Sequence, residues 1–505
     1  MNRTGRLPQQ GWVALVAALA LTAARAADDP LGYPASATDP TAADASGEAD
    51  SAAEPFSIPD QLRPRGGVDP ARAPPFEDGD PEHRLSWFEE PFGPSPCDRN
   101  LVDPAWMGPG EYAYHKSPGQ CWCTRDHTRV FRMGYMGTLW SSMELLLWAT
   151  SADSFPALAT ASPAGTPPAT AGILGQPGTA TLFGGGDALG TMRPGGRFTV
   201  GVWFDPRQLD GIEASYLELA LARHGGTWGN ASGAILARPY VDAVTGANAA
   251  VVVPAPGAFP ADPALLSQSI QVGSTSLFNG AEVLLRHSLV CDLFHRRYLV
   301  GGYRYFGLID RLGVTQTDVI STGTPGGYPR LSIGSRDQFD VVNQFHGGEF
   351  GLIERWWHHR WGLMATGKVG FGGTGISSAV SGLTQATQTV LNADGTTTAT
   401  LVSSTPGGVL AQPTNSGNRW SSAFAAVGEV GVALDYALLP QLRCSVGYTC
   451  IWWSQVARAG AQIDPTVNPT QFPPGTLTGP AAPAFDLQTT DFWAQGLTLG
   501  LEYVF

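Results

Sequence analysis

Charge is what this chain has least of. Only 14% of its 505 residues are Asp, Glu, Lys or Arg, well below the roughly 25% of ordinary globular domains. Basic residues are the scarcer kind, 30 against 43 acidic, and they form no cluster, which argues against a nucleic-acid-binding surface. Beyond the first 26 residues no apolar run approaches the ~20 residues of a membrane-crossing helix, which excludes a helical membrane protein. Cysteine is also sparse, with Cys97, Cys121, Cys123, Cys291, Cys444 and Cys450. Cys444 and Cys450 share one strand-like segment and lie about 20 Å apart at ~3.3 Å per residue, so they do not bridge each other and read as small membrane-facing groups. Cys97, Cys121 and Cys123 precede the first strand, where an oxidising compartment allows two of them to pair. His115 and His127 flank them, but the spacing matches no zinc signature, so neither metal nor cofactor is expected.

What the chain does have is a start, an arm and a long patterned remainder. Arg3 and Arg6 precede the apolar stretch Trp12 to Leu21, and Ala24, Arg25 and Ala26 make an A-x-A cleavage site, so residues 1–26 read as a signal peptide. Residues 27–91 carry 15 acidic side chains against four arginines, nearly all of the net charge of -13. With its Asp, Ala and Pro, the region 27–130 lacks the apolar surface to order itself and is expected to be a solvated arm. Residues 131–505 are then the folded part.

Ten segments there alternate with period two: 132–149, 196–205, 211–221, 277–290, 297–308, 344–355, 360–372, 423–436, 441–454 and 493–505. The connections between them alternate too, long at 150–195, 222–276, 309–343, 373–422 and 455–492, short at 206–210, 291–296, 356–359 and 437–440. Short periplasmic turns and long extracellular loops are the habit of outer-membrane barrels, whereas a soluble sandwich has no reason to alternate them. The expectation is therefore all-β: an antiparallel transmembrane β-barrel of about ten strands, with twelve as the upper count, exported to the outer membrane of a Gram-negative-type bacterium. The last residues agree, with Leu497, Leu499, Leu501, Tyr503 and Phe505 on one face. Tyr503 and the terminal aromatic Phe505 form the signal read by the barrel insertion machinery, which joins outer-membrane lipid as an expected partner.

Lipid on the outside makes the odd polar residue of each strand point inward. That rule selects Glu144, Arg197, Glu213, Glu282, Arg286, Arg304, Glu349, Lys368, Glu429, Arg443 and Glu502 as lumen-lining charges. Their mixed signs favour mutual pairing over a selectivity ring of one sign. A barrel this narrow is expected to be largely filled by side chains, the competing reading being a slim channel whose charges line a water path. Trp140, Trp148, Tyr298, Tyr303, Tyr305, Trp356, Trp357, Trp361, Tyr448, Trp452, Trp453, Trp493 and Tyr503 suit interfacial girdles. Among the nine histidines, His287, His346, His358 and His359 have no placed Ser and carboxylate around them, so no enzyme is expected.

Several ordered motifs carry a family resemblance: MGTLWSSMELLLW from Met136, ILGQPGT from Ile173, LFGG from Leu182, QFHGGEFGL from Gln344, LAQPTNSG from Leu410 and DFWAQGLTLGLEYVF from Asp491. Across about residues 130–505 the chain resembles the putative beta-barrel porin 7 family. The resemblance implies an outer-membrane barrel and supplies no catalytic or ligand residue set to carry over, while the acidic arm lies outside it. Two functions follow as expectations: a narrow porin-like channel for small solutes or ions, or a structural or surface-interaction barrel with a filled lumen that presents its loops. Two Gln-Pro elements, at Gln176 and Gln412, either cap the extracellular mouth together or are independent turns set by Pro. Solute and oligomeric state are not specified by the sequence.

Overall fold

The computed structural model of the protein describes residues 139–505 apart from 206–207, 231–232, 253–263, 292–293, 323–326 and 440. The expected signal peptide, the acidic region and Cys97, Cys121, Cys123, His115 and His127 lie outside the described residues.

Ten strands form the barrel: β1 (Leu139–Thr150), β2 (Arg193–Trp203), β3 (Asp210–Leu219), β4 (Ala264–Cys291), β5 (His295–Ser321), β6 (Arg330–His358), β7 (Trp361–Leu391), β8 (Gly417–Leu439), β9 (Leu442–Ala457) and β10 (Thr489–Val504). Each pairs antiparallel with its sequence neighbours, and β1 closes the ring against β10, Trp140 facing Val504 and Thr150 facing Ala494. Closure leaves no unpaired edge at membrane depth, which lipid requires because it satisfies no backbone hydrogen bonds. On the outer face Phe424, Val430, Val432 and Leu434 of β8, Val446, Tyr448 and Trp452 of β9, and Leu497, Leu499, Leu501 and Tyr503 of β10 are all exposed. The residues between them point into the lumen.

Five strands have the 10 to 16 residues that a membrane crossing takes. β4 to β7 are far longer, at 28, 27, 29 and 31 residues, two to three times the ~9–11 needed. They run on beyond the outer apolar surface as a curved extracellular wall. This corrects three expected long loops: within 222–276, β4 already begins at Ala264 and Ala222–Gly229 pairs with it. Residues 309–343 are mostly strand, and the β5–β6 connection shrinks to a hairpin closed by Thr322 donating to the Pro329 carbonyl at 3.0 Å. Within 373–422, β7 continues to Leu391 and then pairs with a strand at Thr397–Pro406.

The reason is a reversal of polarity along a single strand. At membrane depth the outward residues of β5 are Leu299 and Tyr303 and an inward one is Arg304. Above it the outward residues are Arg311, Thr315 and Thr317, while Leu312, Val314 and Ile320 are buried inside. Water has replaced lipid outside, so the apolar face moves inward. There it is covered by the connections themselves. Phe155, Leu158 and Phe183 from the β1–β2 connection, Leu236 from β3–β4, Val409 and Leu410 from β7–β8, and Val467 and Phe472 from β9–β10 share one core with Val272, Val314, Phe339 and Val380 of the wall. A small sheet ties these connections together: Ile235–Asp242 pairs with Ala159–Ser162, Asn248–Val251 and Thr466–Val467.

Asp318 lies in this wall, fully buried, with Gln316 donating to one carboxylate oxygen at 2.8 Å and the other oxygen unpartnered. Burial pushes its carboxyl up to about 7, against the hydrogen bonds of Gln316 and Gln268. A raised acid pKa means the folded state keeps a proton that the unfolded chain releases above ~4. The resulting stability is full below that pH and is lost as pH rises through 7. Asp318→Asn should therefore raise the apparent melting temperature at pH 8 and leave it nearly unchanged at pH 4, as followed by heat-dependent gel mobility of the folded barrel.

Candidate functional site: a layered barrel lumen

Period two places one inward residue per strand at each level, so a lumen level is a set of side chains drawn from different strands. At mid-depth β4, β5, β6, β7 and β8 contribute Glu282, Arg304, Glu349, Lys368 and Glu429. The sign alternates from one strand to the next. Arg304 contacts all three carboxylates, hydrogen-bonding Glu282 and Glu429 and lying 3.2 Å from Glu349. Lys368 Nζ lies 2.7 Å from Glu282, 3.2 Å from Glu429 and 3.5 Å from Glu349. Arg197 of β2 reaches Glu429 at 3.0 Å and Glu144 of β1 at 3.8 Å, which carries the network across the lumen. Ser215 of β3 donates to Glu282 at 2.9 Å.

Toward the periplasm Arg355 binds Glu502 through its two terminal guanidinium nitrogens, at 2.7 and 3.3 Å, and Arg443 reaches the same carboxylate at 3.2 Å. Arg286 pairs with Glu213 at 2.6 Å while facing the rings of Trp140, Trp203 and Tyr298 at 5.0 to 5.7 Å, a cation–π setting. A cavity of about 120 Å³ lies in this half, lined by both charged groups and small side chains such as Ser142, Ser445 and Thr449. All eleven lumen residues selected from the sequence take part in these ion pairs. Arg355 was overlooked because β6 already offered Glu349; its odd number, shared with Glu349, is the signal that marks it as inward.

Outward of the charges sits an apolar layer. Phe278, Phe306, Phe345, Trp453 and Phe492 are buried inside the barrel with ring centroids 4.9 to 6.4 Å apart, and Trp148 is buried in the same cluster with its indole N–H donating to the Thr498 hydroxyl at 3.3 Å. Parity identifies them as well: Phe306 lies two residues after Arg304, and Phe278, Phe345 and Phe492 share parity with Glu282, Glu349 and Glu502. Trp148 and Trp453 were expected in the girdles, as were Trp140 and Tyr298, and all four instead point inward and are buried. Their inward parity overrides the preference of an amphipathic ring for the interface. Tyr303, Trp356, Trp361, Tyr448, Trp452 and Tyr503 do face outward and are exposed.

Above the rings a polar level closes the barrel to the loops. Arg458 pairs with Asp310 at 2.5 Å and donates to the Ser151 carbonyl at 3.1 Å. Asp153, pushed up to about 6 by burial, accepts from the Gly460 amide at 3.0 Å. Higher still, Asp337 accepts backbone N–H groups of Val409, Leu410 and Ala411 at 3.0 to 3.1 Å and pairs with Arg238 at 2.5 Å, every partner being buried. The LAQPTNSG segment is thus held on the wall as a folded plug. Any Cβ at Gly408 would sit 1.8 Å from the Asp337 carboxylate. Gln412 is buried and donates to the Gly408 carbonyl, whereas Gln176 is exposed on a tight turn, so the two Gln-Pro elements play different parts. At the C-terminus Tyr503 and Phe505 are exposed on the lipid side with rings 4.9 Å apart. Cys291, at the short-turn end of β4, is disulfide-bonded, while Cys444 and Cys450 are free.

A closed ring of antiparallel strands, apolar outside and polar at mid-depth inside, defines an outer-membrane β-barrel. Residues 140–505 match the family model described as Putative beta barrel porin-7, and the chain belongs to that family. Its membership points to the bacterial outer membrane. No curated protein matches the sequence. Among solved structures, a Pseudomonas aeruginosa FadL homologue is similar at 9% identity and a TM-score of 0.19, with 72% of this chain and 90% of that one covered. Outer-membrane expressed OmpT of Vibrio cholerae is similar at 7% identity and 0.11, covering 74% and 100%. Likenesses this weak carry no further argument.

Removing one cation from a buried network leaves its carboxylates uncompensated, which costs more than the pairing itself contributes. Lys368→Met should lower unfolding free energy by about 3–5 kcal/mol, measured by urea titration of the barrel in lipid vesicles.

Proposed function

We propose that this protein works as a closed barrel, a membrane anchor that holds a folded β-structured platform at the cell surface for interaction, rather than as a conduit for solutes. One observation carries the reading: the contiguous rings of Phe278, Phe306, Phe345, Trp453 and Phe492 inside the barrel, between two levels of ion pairs. Dispersion contacts in such a layer exclude water, and an ion crossing it would lose its hydration with no polar group in return. The charged level beneath offers no free field either, because acids and bases alternate and neutralise one another. Conduction needs groups that bind a solute and then release it, and here those groups are bound to each other.

The platform is the other half of the argument. Four of the five outer connections are spent on one packed core over the barrel mouth. A porin loop that folds into its own channel narrows it, but here the connections and the wall share a core as a soluble domain would. This supports the surface-interaction alternative over the channel.

Planar bilayers provide the test. Purified barrel should insert without conductance steps at any holding potential. Steady steps that shift when Glu282 or Lys368 is neutralised would establish the channel instead.

A further inference from the structure

We propose that the lipid-facing wall carries a specific phospholipid site at its short-turn edge, fitted to one acyl chain and to the headgroup of an aminophospholipid. Along the outward row Ile212, Leu285, Gly301 and Phe350 face one another on β3 to β6. Of these four residues Gly301 alone lacks a side chain, which leaves a gap between Leu285 and Phe350, both more than half exposed. A groove of about 940 Å³ runs there, with Phe204 and Leu209 of the β2–β3 turn as its other wall. That volume is of the size seen for small-molecule sites. Its place on the outer apolar face sets it against lipid acyl chains.

The lower end of the groove is polar and acidic. Asp210 and His287 sit opposite each other on β3 and β4 and are joined at 2.7 Å, both half exposed. Asp205 lines the same end, with one carboxylate oxygen accepting the Leu209 and Asp210 amides and the other buried beneath the surface. The exposed Asp210 carboxylate favours a headgroup carrying an ammonium, and the second ring nitrogen of His287 provides a hydrogen-bond donor to the phosphate beside it. An anionic phosphatidylglycerol headgroup would meet the Asp210 carboxylate with no cation of its own. Such a site needs only the barrel's membrane placement and does not depend on whether the lumen conducts.

Native mass spectrometry of the full chain, released from nanodiscs made of equal phosphatidylethanolamine and phosphatidylglycerol, provides the test. Wild type should retain one phosphatidylethanolamine per barrel. Gly301→Leu should abolish that peak; a Cβ there meets nothing nearer than 3.6 Å, so the barrel accommodates it. Asp210→Asn, at the exposed rim, should keep one lipid and lose the headgroup preference. Retention by Gly301→Leu equal to wild type, or equal retention of both lipids by wild type, would overturn the proposal.

Discussion

The contact on which the rest of this structure depends is the Arg304 guanidinium held by Glu282, Glu349 and Glu429 at the middle of the barrel. Isolated charges at that depth are costly, and a single buried pair barely offsets its own desolvation. Here each charge has several partners. Arg304 and Lys368 together satisfy three carboxylates from three strands, and Arg197 links the cluster to Glu144 on the far side. Because acids and bases alternate along consecutive strands, a slip of one residue in any of them would turn a charge into lipid and strand its neighbours. The network thereby fixes register as well as filling space.

The levels above follow from that register. With Arg304 inward, Phe306, Leu308, Asp310, Leu312 and Val314 are inward as well, so one strand delivers a charge, a ring, a latch and a core in sequence. The same holds on β10, where Glu502, Thr498 and Phe492 share the inner face, and on β6, where Glu349, Phe345, Val341 and Asp337 do. The barrel and its extracellular platform are therefore one continuous construction. A change that alters the mid-depth charges is expected to reach the loops through the backbone register and not through any separate path.

Much of this was legible from the alternation alone. Ten segments, their inner and outer faces and the closing strand at Leu497–Phe505 all follow from period two combined with a lipid exterior. The four long strands did not show themselves. Period two is the same inside and outside the membrane, and the polarity reversal between Tyr303 and Leu312 puts Arg311, Thr315 and Thr317 where a lipid-facing strand would be apolar. Trp148 and Trp453 were misplaced for a related reason: ring chemistry suggests an interface, whereas their position relative to Glu144 and Thr449 says lumen. Contacts such as Asp337 with the Val409–Ala411 amides join residues some seventy positions apart and leave no periodic trace.

A double-mutant cycle between Arg304 and Glu429 tests the dependence on this network most directly. Arg304→Met, Glu429→Met and the double variant would be unfolded with urea in lipid vesicles. A coupling free energy on the order of 1–3 kcal/mol, the double variant losing less than the sum of the singles, is the predicted result. Additivity within about 0.5 kcal/mol would show that the two side chains act independently and would contradict the account.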